Sequence, residues 1–211
     1  MSQSSSRPSF LVALIAASLL AAPHAGLAQA APPSAASTSA RTRQFTTRQV
    51  TSADGTCIAY LVAGTGRPLV MVHGSMTVAD EWLPVAERLT ATRRVIVVER
   101  RGRGRSSDAP VHSVAVEAQD LAAVVADVAR TGAGTDTSAG RVDLFGHSYG
   151  GAVVGRYAID TRFPGAVVLY DPGAGLNGPI ADTTGLRPLR SLLAAGRRDS
   201  ATALTLATVM G

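Results

Sequence analysis

Three short apolar runs, LVMVH at 69–73, RVIVVE at 94–99 and RVDLFGH at 141–147, are each followed within a few residues by glycine and then by a segment with helical spacing. A fourth run, AVVLYD at 166–171, comes after the last of those segments. Unbroken apolar runs of this length suit strands buried on both faces. The intervening stretches are 77–91, with Val78, Trp82, Val85, Ala86 and Leu89 three or four apart, 114–130 and 149–163. They read as helices packed on a sheet. Strands alternating with helices require crossover connections, so the expected class is α/β, a mainly parallel sheet with helices on both faces. FTTRQVTS (45–52), the turn Ala53-Asp54-Gly55 and TCIAYLV (56–62) add an opening antiparallel hairpin.

The N-terminus stands apart from this pattern. Arg7 precedes an uncharged apolar run from Phe10 to Ala22, and Ala28 and Ala30 supply small residues for a cleavage site. The run is shorter than the roughly 20 residues a membrane span needs. Residues 1–30 are therefore expected to be a cleavable signal peptide, with the protein secreted or periplasmic and no stable membrane span. The Pro-, Ser- and Thr-rich stretch 31–44 reads as a flexible leader. With Cys57 as its single cysteine the chain closes no intrachain disulfide, and Cys57 is expected to act as a small buried hydrophobe.

The net charge is +5, and all 20 basic residues are arginine. They are scattered except in ERRGRGRSS (99–107), and aromatic residues make up only 4% of the chain. A nucleic-acid face needs a basic stripe interleaved with aromatics, so no nucleic-acid partner is expected. Gly102 and Gly104 leave open a phosphate- or nucleotide-binding loop of Rossmann type, but the third glycine of that fingerprint falls on Ser107. The four histidines are dispersed and no metal-ligand spacing occurs, so neither metal nor cofactor is expected.

The chemistry concentrates at Gly146-His147-Ser148-Tyr149-Gly150, a G-x-S-x-G pattern between an apolar strand and a helix. In such a strand-to-helix corner the serine hydroxyl is lifted out of the sheet, and flanking glycines remove the Cβ atoms that would block the bend. Ser148 is the expected nucleophile. The amide of Ser75, after the strand ending His73-Gly74, and that of Tyr149 are the expected oxyanion donors.

These motifs, with DGTCIAYLVAGTGRPLVMVHGS and VIVVERRGRGRSS, resemble the α/β-hydrolase family from about Val50 onward. Glu99 stands where that family usually has Asp. The resemblance implies a cofactor-free serine hydrolase acting on a small-molecule ester or related carbonyl substrate. It also implies a core over 45–173 and a surface loop at the arginine run that braces the mouth of the site. The short helices in LRPLRSLLAAG and DSATALTLATVM, with Pro188 in the first turn of one and Asp199 capping the other, would begin a helical cap over 174–211.

In this fold the acid and the histidine follow the serine. His24, His73, His112 and His147 all precede Ser148, and the acids after it are Asp160, Asp171, Asp182 and Asp199. Asp171 ends the strand AVVLYD and could orient an imidazole; His112 is the substitute base to examine. The expectation is a hydrolase cut short before the family's last strands, weak or inactive as it stands, with AVVLYD an exposed apolar edge prone to aggregate. A non-catalytic protein that binds a ligand or partner in the same pocket is the alternative. Oligomeric state is left open.

Overall fold

The computed structural model describes residues 45–131, 141–172 and 186–210. The expected signal peptide and leader, and the turn-rich stretch 173–185, lie outside them. The chain divides into two compact units, 1–173 and 174–211.

In the first unit, β1 (Thr46–Thr51) and β2 (Cys57–Ala63) form the hairpin, and β3 (Pro68–Val72), β4 (Arg94–Val98), β5 (Asp143–His147) and β6 (Val167–Tyr170) follow. Their order in the single six-stranded sheet is β1-β2-β4-β3-β5-β6. β1 and β2 are antiparallel, and so are β2 and β4; β4-β3, β3-β5 and β5-β6 are parallel. The α/β expectation holds.

Side chains alternate across this sheet because successive Cβ atoms of a strand point to opposite faces. Ile58, Tyr60, Val70, Val72, Ile96, Val98 and Leu144 meet α2 (Val114–Thr131) and α3 (Tyr149–Thr161) on one face. Leu61, Ala63, Met71, Val95 and Val97 meet α1 (Leu83–Leu89) and the 3-10 turn Ala79–Trp82 on the other. Apolar residues therefore face both sides of the central strands, which is the near-continuous run seen in the sequence, broken only at strand ends by Arg94, Asp143 and His147.

The first helical segment departs from expectation. It is a 3-10 turn followed by α1, with Pro84 in the first turn of the helix. A 3-10 turn advances three residues per turn rather than 3.6, which shifts the phase of the buried stripe. Ala79, Leu83 and Ala86 face the core, while Val78 and Val85 are exposed. Cys57 also differs from expectation: it begins β2 half-buried.

β6 is an edge strand. Val167 and Leu169 pack toward α3, whereas Val168 and Tyr170 are more than half exposed. In the second unit, α4 (Leu186–Ala194) and α5 (Arg198–Met210) are joined through Gly196 at φ 71°, with the Arg197 amide donating to Leu192 O at 2.9 Å. Such a left-handed closure is how helices commonly stop. Asp199 lies inside the first turn of α5 rather than at its cap. No helix among the described residues is long and apolar enough to cross a membrane.

Candidate active site

Because β3, β4 and β5 run parallel, the residues that follow them, His73-Gly74-Ser75, Glu99–Ser107 and Ser148-Tyr149, emerge at one edge of the sheet. Ser148 has φ 51° and ψ −123°, a combination that costs a non-glycine residue about 1–3 kcal/mol. The surroundings over-determine it. A Cβ on Gly146 would lie 2.6 Å from Gly150 O, and one on Gly150 would lie 2.4 Å from both His73 O and Val72 O. The corner closes against the end of β3 because both positions lack a side chain. The Ser148 amide donates to Tyr170 O at 3.0 Å, and Ser148 O accepts from Gly151 at 2.8 Å.

The Ser148 side chain is half-buried and does not cap α3. Its Cβ lies 3.1 Å from where a Gly74 Cβ would be, so the turn after β3 and the corner after β5 are in contact. Ser75 is exposed, and no hydrogen bond among the described residues uses its amide or that of Tyr149. For Tyr149 this follows from its place at the start of α3, where the first amides have no intrahelical partner.

The histidines are arranged differently from one another. His73 is fully buried; its Nε2 accepts the Arg100 amide at 3.3 Å, so the proton sits on Nδ1, 2.9 Å from Gly74 O and 3.2 Å from Thr77 Oγ1. Burial lowers its pKa to about 4, against the bond to Gly74, which raises it; Arg100 and Arg103 lower it further. His147 lies between the tilted rings of Trp82 and Tyr170, each ring centroid 5.4 Å away, and its Nδ1 has no hydrogen-bond partner among the described residues. His112 bonds Asp108 Oδ1 at 2.9 Å in an exposed loop, and no hydrogen bond joins it to Ser148. Asp171 lies just past β6, exposed, at φ 44°.

The arginine run is less of a surface loop than expected. Arg100 and Arg101 are buried, and each faces an acid on α2. Arg100 Nε and Nη2 hold Glu117 at 2.6 and 3.0 Å, and Arg101 holds Asp120 through two bonds of 2.7 Å. Arg101 also reaches Asp54 at 2.9 Å, which drives that carboxyl well below the ordinary range. Glu99, buried, accepts from the Ala79 amide at 3.1 Å and from Arg105 at 2.8 Å. A Cβ on Gly104 would come within 2.3 Å of the Glu99 carboxylate, which accounts for glycine there. Arg100, Arg101 and Arg105 are thus each paired with an acid, and Arg103, bonded to Gly102 O, is the arginine of the run without an acidic partner among the described residues.

Glu117 and Asp120 were not singled out from the sequence. Acids set within the otherwise apolar stripe of α2, beside Ala118 and Leu121, are the pattern that points to buried cationic partners. An open cavity of about 470 Å³ lies between the β1-β2 turn and residues 107–111, and none of Ser75, Ser148 and Tyr149 lines it. No metal-binding group of three or more His, Cys, Asp and Glu occurs among the described residues.

The chain resembles known proteins in both sequence and structure. It is 38% identical over 114 residues to a non-heme haloperoxidase of Rhodococcus erythropolis, covering 51% of this chain and 36% of that protein. An alpha/beta hydrolase of Sphaerobacter thermophilus is similar at 31% identity and TM-score 0.62, over 76% of this chain and 60% of the other. A thermophilic esterase of Thermogutta terrifontis matches at 29% identity and TM-score 0.58, over 70% of this chain and 53% of the other. The chain thus spans between about a third and three fifths of the length of these relatives. A family model described as the Alpha/beta hydrolase family matches residues 69–210, two thirds of the chain, and the strand order with its corner at Ser148 agrees: this chain belongs to the alpha/beta hydrolase family.

Proposed function

We propose that the chain carries a serine-nucleophile site for small ester or related carbonyl substrates. The observation that carries this reading is the Ser148 backbone, held at φ 51° by glycine contacts, with its hydroxyl engaged in no helix cap. Ser148 Oγ attacks the carbonyl carbon, and the carbonyl π electrons move onto oxygen. The unpartnered amides of Ser75 and Tyr149 donate to that oxyanion, each supporting the transition state by roughly 3 kcal/mol. Collapse expels the alcohol and leaves an acyl-serine, which water then hydrolyses. The N-terminus of α3 favours the negative charge developing beside it. The named esterase relative supports the same substrate class.

The serine proton needs an acceptor. None of the three described histidines, His73, His112 and His147, is hydrogen-bonded to Ser148, and His73 has both nitrogens engaged. Without a histidine a serine site loses on the order of a millionfold in turnover, while roughly 10³- to 10⁴-fold over water persists from oxyanion binding. Added imidazole can stand in for the base.

The test is incubation with an alkyl p-nitrophenyl phosphonate, with and without imidazole, followed by peptide mass mapping. The expected result is a single adduct on Ser148, formed faster with imidazole and absent in Ser148→Ala. An adduct elsewhere, or none in either condition, overturns the assignment. Equal aryl-ester hydrolysis by the wild type and Ser148→Ala would instead favour a non-catalytic binding protein. We further propose export with cleavage after Ala30, which N-terminal sequencing of the mature protein checks.

A further inference from the structure

One buried cation touches Tyr149 and also the carbonyl end of the peptide whose N–H belongs to Ser75. The Gly74 carbonyl oxygen accepts from Arg100 Nη1 at 2.8 Å and from His73 Nδ1 at 2.9 Å. The Gly74-Ser75 peptide is trans, so its C=O and N–H point in opposite directions. Pinning the oxygen inward directs the Ser75 N–H away from the buried pair. The Arg100 guanidinium also lies 4.2 Å over the ring of Tyr149, a cation–π distance. Arg100 itself is held by the two bonds to Glu117, and its own amide donates to His73 Nε2. The set Glu117, Arg100, His73 and Gly74 is therefore a closed buried network in which each partner limits the rotation of the next.

We propose that Arg100 is a positioning residue for the anion-stabilising amides, acting on Ser75 through the Gly74 carbonyl and on Tyr149 through its ring, with Glu117 and His73 as its supports. This rests on the reading of Ser148 as nucleophile. Arg101 shows what a purely structural arginine looks like in the same loop: its partners are Asp120, Asp54 and Val111 O, and none of its hydrogen bonds reaches the turn after β3 or the corner after β5.

The test separates binding from reaction. Saturation kinetics of phosphonate inactivation in imidazole yield KI and kinact for the wild type, Arg100→Lys and the double variant Arg100→Met/Glu117→Leu. The double variant leaves no buried charge unpaired, and replacing a buried ion pair by apolar residues is often neutral for stability. In it kinact is expected to fall about 10- to 100-fold, part of the 10²- to 10³-fold that loss of a whole donor costs, while KI stays within about twofold. Arg100→Lys keeps the charge opposite Glu117 and one donor for Gly74 O, so its kinact should be intermediate. A wild-type kinact in either variant, folded by circular dichroism, overturns the proposal even if their melting temperatures drop. Absence of any Ser148 adduct in the wild type would instead remove the nucleophile assignment, and this inference with it.

Discussion

The loop after β4 and the turns after β3 and β5 occupy the same edge of the sheet, yet they are built in opposite ways. Residues 99–107 carry five formal charges, and Glu99, Arg100, Arg101 and Arg105 are engaged by specific partners. The turns at Gly74-Ser75 and Ser148-Tyr149 carry none, and the amides of Ser75 and Tyr149 have no hydrogen-bond partner among the described residues. On the proposed reading, charge at this edge holds backbone in place, and the reactive surface is made of neutral dipoles that the charged loop orients. That division is sensible physically, because a fixed amide responds to a developing oxyanion without the desolvation cost of a buried free cation.

The sharpest way to break the contrast is to leave a buried acid unpaired. Arg101→Met should destabilise the fold by about 3–5 kcal/mol in urea denaturation, because Asp120 keeps its charge without its fork of donors. Adding Asp120→Leu should recover much of that loss. A single-variant effect below about 1 kcal/mol would mean that the loop is not held by its ion pairs. On the other side of the comparison, Gly150→Ala puts a methyl 2.4 Å from the His73 and Val72 carbonyls. Backbone cannot yield there cheaply, so a loss of about 3 kcal/mol is expected by the same measurement.

His73 joins the two regions and should report on both. Its folded pKa, about 4, lies below the ordinary value of 6.5, so the unfolded chain binds the extra proton first. The stability it contributes is complete above pH 6.5 and is lost as pH falls from there toward 4, on the order of 2–3 kcal/mol for this group. Thermal melts across that range should show the slope in the wild type and a flatter profile in His73→Gln; identical slopes would exclude His73 as its source. The smallest effect is expected at an exposed pair far from either region. Arg156 and Asp160, one turn apart on α3, make a 2.6 Å bond in solvent, and Asp160→Asn should cost less than about 0.5 kcal/mol in the same melts.

Much of the architecture was legible because burial on two faces makes the middles of β3 to β5 continuously apolar, and the corner glycines stand at the spacing the bend requires. The buried face of α1 was misread, since Pro84 and the preceding 3-10 turn change the period within one segment. The arginine run was read as surface because sequence does not show that its partners sit 17 and 19 residues away on a packed helix. For the same reason Arg100 could be recognised as a neighbour of the site only once β3, β4 and β5 were side by side.

The order of strands and helices, the membership of the family and the place of Ser148 in a strand-to-helix corner were determined by the sequence alone, because local periodicity and glycine spacing carry them. The tertiary structure decided which charges are buried and paired, which way the Gly74-Ser75 peptide faces, and that two separate turns touch. Those depend on side chains from distant segments meeting at a few ångströms, where electrostatics and steric exclusion are strong and no local pattern records the outcome.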